Sequence, residues 1–104
     1  MEYKQLNFKK EYREALKDGR KTTTIRVNAH VKPGDLVELI AGGVSCGYAI
    51  VRSVTRKKLL ELNDEDARKD GFKNRMELIK ALKRHYPSLT PETYVYIINF
   101  RRIH

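Results

Sequence analysis

Lysine, arginine and threonine crowd into one short stretch, Gly19-Arg20-Lys21-Thr22-Thr23-Thr24-Ile25-Arg26. Cationic side chains beside hydroxyls can grip a phosphate, or the polar edge of a base turned out of its stack. Arg20, Lys21, Thr22, Thr24 and Arg26 are the candidate binding groups. Tyr48 or Tyr94 would offer a stacking face, although residues of this type are more often core. Lys57, Lys58, Lys80 and Arg84 would extend a phosphate track of the kind that single-stranded RNA requires. A plainer reading also stands. Lysine and charge commonly protect strand edges, so the stretch is also explained as a solvated basic edge.

The surrounding elements must hold these groups at the mouth of a sheet. Met1 to Phe8 reads as a short first strand or an extended lead-in. From Lys9 to Asp18 the pattern is helical, with Phe8, Tyr12, Ala15 and Leu16 on one face; the aromatic pair is expected to pack in the core. Gly19 suits the left-handed residue that closes a helix. The β-branched threonines then favour a strand that enters the core through Ile25 and Val27.

Pro33-Gly34-Asp35 carries a type II turn signature. It leads into a strand over Leu36 to Ile40, a hairpin connection at Ala41-Gly42-Gly43-Val44, and a strand over Gly47 to Val54. Arg56-Lys57-Lys58 reads as its solvated end. Asn63 caps a short helix that stops at Asp70-Gly71. Asn74, with Glu77 three residues on, opens a second helix whose buried face is Leu78, Ile79, Leu82 and Tyr86. Pro87 forbids its continuation. Thr93 to Ile103 is the longest strand signal in the chain, and it is apolar on both faces, which places it inside a sheet or barrel. The order is strand, helix, three strands, two helices and a closing strand. It predicts an α+β domain on a mainly antiparallel, curled sheet with helices packed outside.

Composition narrows the partners. The 104 residues make one domain, residues 1–104, with 40% hydrophobic side chains. Lysine and arginine number 22 against 13 acids, for a net charge of +9. That excess favours a polyanion. The single cysteine, Cys46, excludes an internal disulfide and is expected in the core of a cytoplasmic protein. His30, His85 and His104 lack metal-ligand spacing, and no metal or other cofactor is expected. No apolar run approaches the ~20 residues of a membrane span, and no signal peptide is expected.

With these residues in view the chain resembles the ASCH domains, whose fold is similar to that of PUA domains. The resemblance rests on Gly19-Arg20-Lys21-Thr22-x-Thr24-Ile25-Arg26, on Gly34-Asp35 and on Gly47-Tyr48. It continues through Asp70-Gly71-Phe72 and Tyr86-Pro87, and closes on Tyr94-Val95-Tyr96-Ile97-Ile98-Asn99-Phe100. Within that family the chain is most similar to the small bacterial N4-acetylcytidine amidohydrolases. The kinship implies a PUA-like barrel, a cleft beside the motif, and RNA binding or hydrolysis of an acylated cytosine nucleoside. A protein-interaction role in transcription or translation is a third possibility.

The resemblance also implies catalytic positions. The lysine, threonine and glutamate assigned to catalysis in those enzymes fall on Lys21, Thr24 and Asp70. The last is a departure, one methylene shorter than glutamate, and a catalytic group misplaced by ~1 Å can cost roughly 10²-fold in rate. Thr24 would be the nucleophile, Lys21 its base and Asp70 the proton relay to cytosine N4. A lysine of reference pKa about 10.4 must fall by about 3 to be half neutral near pH 7, worth about 4 kcal/mol. Desolvation and nearby Arg20 and Arg26 push that way, and an ionised Asp70 opposes them. Geometry adds a condition. Lys21 and Thr24 point apart in a regular strand, so Lys21 must sit in the turn after Gly19.

Overall fold

A computed structural model of the protein describes residues 3–103. Met1, Glu2 and His104, which carry part of the first-strand reading and one of the three histidines, lie outside the described residues.

The chain forms β1 (Lys4–Phe8), a 3-10 turn (Lys10–Tyr12), α1 (Arg13–Lys17), β2 (Thr23–Arg26), β3 (Leu36–Ala41) and β4 (Val44–Lys58). A second 3-10 turn (Leu59–Glu61), α2 (Asp64–Lys69), α3 (Arg75–His85) and β5 (Tyr94–Arg102) follow. The five strands make one sheet in the order β1-β3-β4-β5-β2. Three pairings are antiparallel, and β1 runs parallel to β3. The sheet curls into a half-barrel, an α+β PUA-like architecture.

Local chemistry accounts for the joints. Gly42 and Gly43 both have positive φ, +59° and +80°, as a two-residue type I′ hairpin between β3 and β4 requires. Gly34, at φ +93°, lies in a turn closed by Asp35 N–H donating to Lys32 O at 3.1 Å. Asn63 accepts from Asp66 N–H and Asn74 from Glu77 N–H, capping α2 and α3.

The expected first helix is shorter than its pattern. Phe8 ends β1, and Lys9 is extended (φ −70°, ψ 151°), so helical turns begin only at Lys10. Phe8 and Tyr12 are half-buried and face a cleft described below. Phe8 also packs against the core beside Phe100, whereas Tyr12 joins neither apolar cluster, which corrects its assignment to the core. Val27 lies just past β2 and is half-buried, whereas Ile25 is buried. The longest strand is β4, because Arg56-Lys57-Lys58 stays on the ladder opposite Tyr96, Val95 and Tyr94.

Two apolar clusters sandwich the sheet. Leu6, Val37, Leu39, Cys46, Val51, Ile98 and Phe100 fill the concave side, with Leu16 of α1. Ile25, Val95 and Ile97 meet Leu59, Leu62, Ala67, Leu78 and Leu82 beneath α2 and α3. Strand β5 supplies both clusters, which explains its apolar character on both faces. Among the described residues no helix is long and apolar enough to cross a membrane.

Candidate functional site

The half-barrel closes imperfectly between its two edge strands. Arg26 of β2 spans the gap, its guanidinium donating to the Asn7 carbonyl of β1 at 2.6 Å and to Thr24 Oγ1 at 3.0 Å. Beside this bridge opens a cleft of about 310 Å³, walled by β1, β2, the residues after α2 and the last turns of α3.

Lys21 reaches the cleft from outside the regular strand. Gly19, at φ +82°, turns the chain, Lys21 N–H donates to Ala15 O at 3.0 Å, and β2 begins only at Thr23. Lys21 and Thr24 therefore both line the cleft, together with Asp70, and the geometric condition set by the sequence is met.

Lys21 and Asp70 are only 4% and 5% exposed. Lys21 Nζ lies 3.1 Å from the Asp70 carboxylate, and Thr23 Oγ1 donates to the same carboxylate oxygen at 2.8 Å. Three aromatic rings surround the ammonium, with Tyr12, Phe8 and Phe72 centred 5.0, 5.6 and 6.0 Å away, within cation–π range. Burial pushes Lys21 below the usual lysine range and Asp70 above the usual carboxylate range, each opposed by the other's charge. The two proton affinities are drawn toward each other.

Tyr12 and His85 form the opposite wall, the hydroxyl 3.0 Å from Nε2. Burial, with Glu11 and Asp70 adding negative charge, drives the Tyr12 hydroxyl up to about 12. Burial and Lys9 push His85 down, and its Nδ1 is buried without a hydrogen-bond partner. A neutral imidazole accepting from Tyr12 suits this environment.

The other sequence candidates scatter. Arg84 lines the cleft. Arg20 is exposed and paired with Asp18. Thr22 turns away and donates to Lys69 O. Lys57 and Lys58 are held by Asp66 and Glu92, Tyr94 stacks under the Arg56 guanidinium at 3.6 Å, and Tyr48 packs on Tyr3. Lys80 is exposed on α3 and is not among the cleft residues. Sequence reasoning missed Thr23, Phe8, Tyr12, Phe72 and His85. Thr23 lay inside the motif; nothing in sequence spacing ties the others to it.

No family model matches the sequence, and no curated protein matches it. Solved structures share its fold. Protein EF3133 of Enterococcus faecalis V583, of family DUF984, superposes with a TM-score of 0.78 at 14% identity, over 99% of this chain and 82% of that one. An ASCH domain from Lactobacillus crispatus JV V101 gives 0.75 at 12% identity, over 86% and 69%. Protein PF0455 from Pyrococcus furiosus gives 0.66 at 20% identity, over 100% and 99%. The chain thus has an ASCH-like fold, as its motifs implied.

Proposed function

We propose that the seam cleft takes one pyrimidine nucleoside, free or turned out of an RNA strand, and reads a modification on its base. The carrying observation is the combination of aromatic walls with a buried, rigidly held Lys21–Asp70 pair in a cleft of about 310 Å³. Small-molecule pockets begin near 300 Å³, so the space suits a single nucleoside. Phe8, Tyr12 and Phe72 supply apolar surface, while Lys21, Thr24 and Asp70 supply donors and acceptors for a base edge.

Hydrolysis of an N4-acyl group is a second reading, favoured by the 3.1 Å approach of Nζ to Oδ1. Burial favours the neutral form of both partners, so a proton can pass from Lys21 to Asp70. The freed amine then takes the Thr24 proton as Oγ1 bonds to the acyl carbon. The Arg26 Nε–H held on Oγ1 eases loss of the hydroxyl proton, while the negative charge of the addition step falls on the acyl oxygen. The C–N4 bond breaks as Asp70 returns its proton to N4, and water then cleaves the threonyl ester.

Calorimetric titration with N4-acetylcytidine and cytidine tests the first reading, and chromatography of the same mixtures tests the second. Saturable binding of the acetylated nucleoside that is lost in Lys21→Ala and Thr24→Ala is expected. Failure of folded protein to bind either nucleoside would overturn the cleft assignment. Release of cytidine, abolished in both variants, would establish hydrolysis.

A further inference from the structure

The outer face of the sheet is only half covered. Along β5, Val95 and Ile97 lie beneath α2 and α3, but alternation continues to Asn99 and Arg101 beyond the helices. Arg101 pairs with Ile50 in register, and the β4–β5 ladder slips between Val51 and Ser53. Arg52 is the extra residue of that bulge. A bulge breaks the ladder and re-aims its side chain. Here it leaves Arg52 exposed next to Arg101, and the two cations line both shallow concavities of this face.

Three features set this face apart from the rest of a basic surface. Among the described residues, neither concavity is lined by an acidic side chain. Neither Arg52 nor Arg101 forms an ion pair among the described residues, whereas Lys57 and Lys58 are each neutralised by a carboxylate. Thr22, Ser53 and Asn99 add uncharged hydrogen-bonding groups. Lys69 also lies there, shared with Glu65.

We propose that this open half of the outer face, centred on Arg52 and Arg101, binds the phosphodiester backbone of single-stranded RNA. It would do so apart from the seam cleft. The two sites stand back to back across one wall. Lys21 and Asp70 line the cleft, their chain neighbours Thr22 and Lys69 line the basic face, and Thr22 N–H donates to Lys69 O at 2.7 Å. The face supplies sequence-independent affinity and the cleft supplies selection. From the nucleoside reading this takes only the class of partner, RNA.

The test is anisotropy of a labelled single-stranded RNA 12-mer titrated with the protein across a salt series. Each phosphate contact contributes about 0.7 to the slope of log K against log salt for single strands. Arg52→Ala/Arg101→Ala should therefore flatten the slope by about 1.4, which is roughly 25-fold in affinity at 0.1 M salt if the curves meet at 1 M. Arg52→Lys/Arg101→Lys should keep the slope, and Lys73→Ala/Lys83→Ala, an equal loss of charge just before and within α3, should change it far less. N4-acetylcytidine binding by calorimetry should be the same in all of them. A wild-type slope in the double alanine variant, an equal loss in the α3 control, or no RNA binding by the wild type would overturn the proposal. Nucleoside binding would be decided separately by the calorimetry.

Discussion

Lys21 reaches Asp70 twice, its Nζ lying 3.1 Å from the carboxylate Oδ1 and 3.1 Å from the main-chain oxygen of the same residue. The second contact fixes the ammonium to the end of α2 whatever the charge of the carboxyl. The cleft floor is therefore part of the fold as well as its chemistry.

Removing one member of such a pair strands a buried charge. Asp70→Asn should lower stability by about 3–5 kcal/mol, as is usual for a broken buried pair. Lys21→Met/Asp70→Leu should cost clearly less than the two single changes added together. Urea unfolding of the four proteins checks this; simple additivity would show that the pair is not coupled.

Arg26 closes the seam through two differently aimed donors, Nε to Thr24 and a terminal nitrogen to the Asn7 carbonyl. A lysine has one point charge and cannot make that fork. Arg26→Lys should cost about 1–2 kcal/mol. It should also speed hydrogen exchange at the β1 and β2 amides while leaving those of β4 protected.

Tyr12 carries a pH signature. Its folded value of about 12 stands above the reference of about 10. Its contribution is thus fully present below about pH 10 and fades as pH rises through 12. Alkaline unfolding should lose this component in Tyr12→Phe, and by ultraviolet titration at pH 11 the wild type should keep one more un-ionised phenol than the variant.

His85 has the opposite sign. Burial lowers its folded value, so its contribution is present above the unfolded value of about 6.5 and is lost as pH falls through the folded one. Stability measured between pH 7 and 5 should fall more in the wild type than in His85→Gln. Equal slopes would refute the assignment of a neutral imidazole.

The β3–β4 hairpin separates strain from contact. Both glycines have positive φ, but a Cβ on Gly42 would lie 2.9 Å from Lys10 Cβ and 3.2 Å from Lys10 Cα, while one on Gly43 meets nothing within 4 Å. Gly42→Asn should destabilise by at least about 2 kcal/mol, and Gly43→Asn by under about 1 kcal/mol, because asparagine tolerates the left-handed region. Thermal unfolding distinguishes them.

The sequence by itself determined what short-range physics controls. Asn63 and Asn74 marked helix starts, Gly42-Gly43 marked the hairpin, Gly19 placed Lys21 ahead of the strand, and the two-sided apolar run of β5 placed it inside the sheet. Each of these is decided within a few residues, by capping, backbone freedom or periodicity. Tertiary structure alone decided the parallel pairing of β1 with β3 and the Arg26–Asn7 seam. It also decided that Asp70 meets Lys21 from 49 residues away, and that Phe8 and Tyr12 wall a cleft. It dispersed the basic residues too: Lys57 and Lys58 found carboxylates, and Arg52 was left open by a one-residue slip. Charge and residue type can be read along a chain, but which charges are neutralised depends on the partners that folding brings near them.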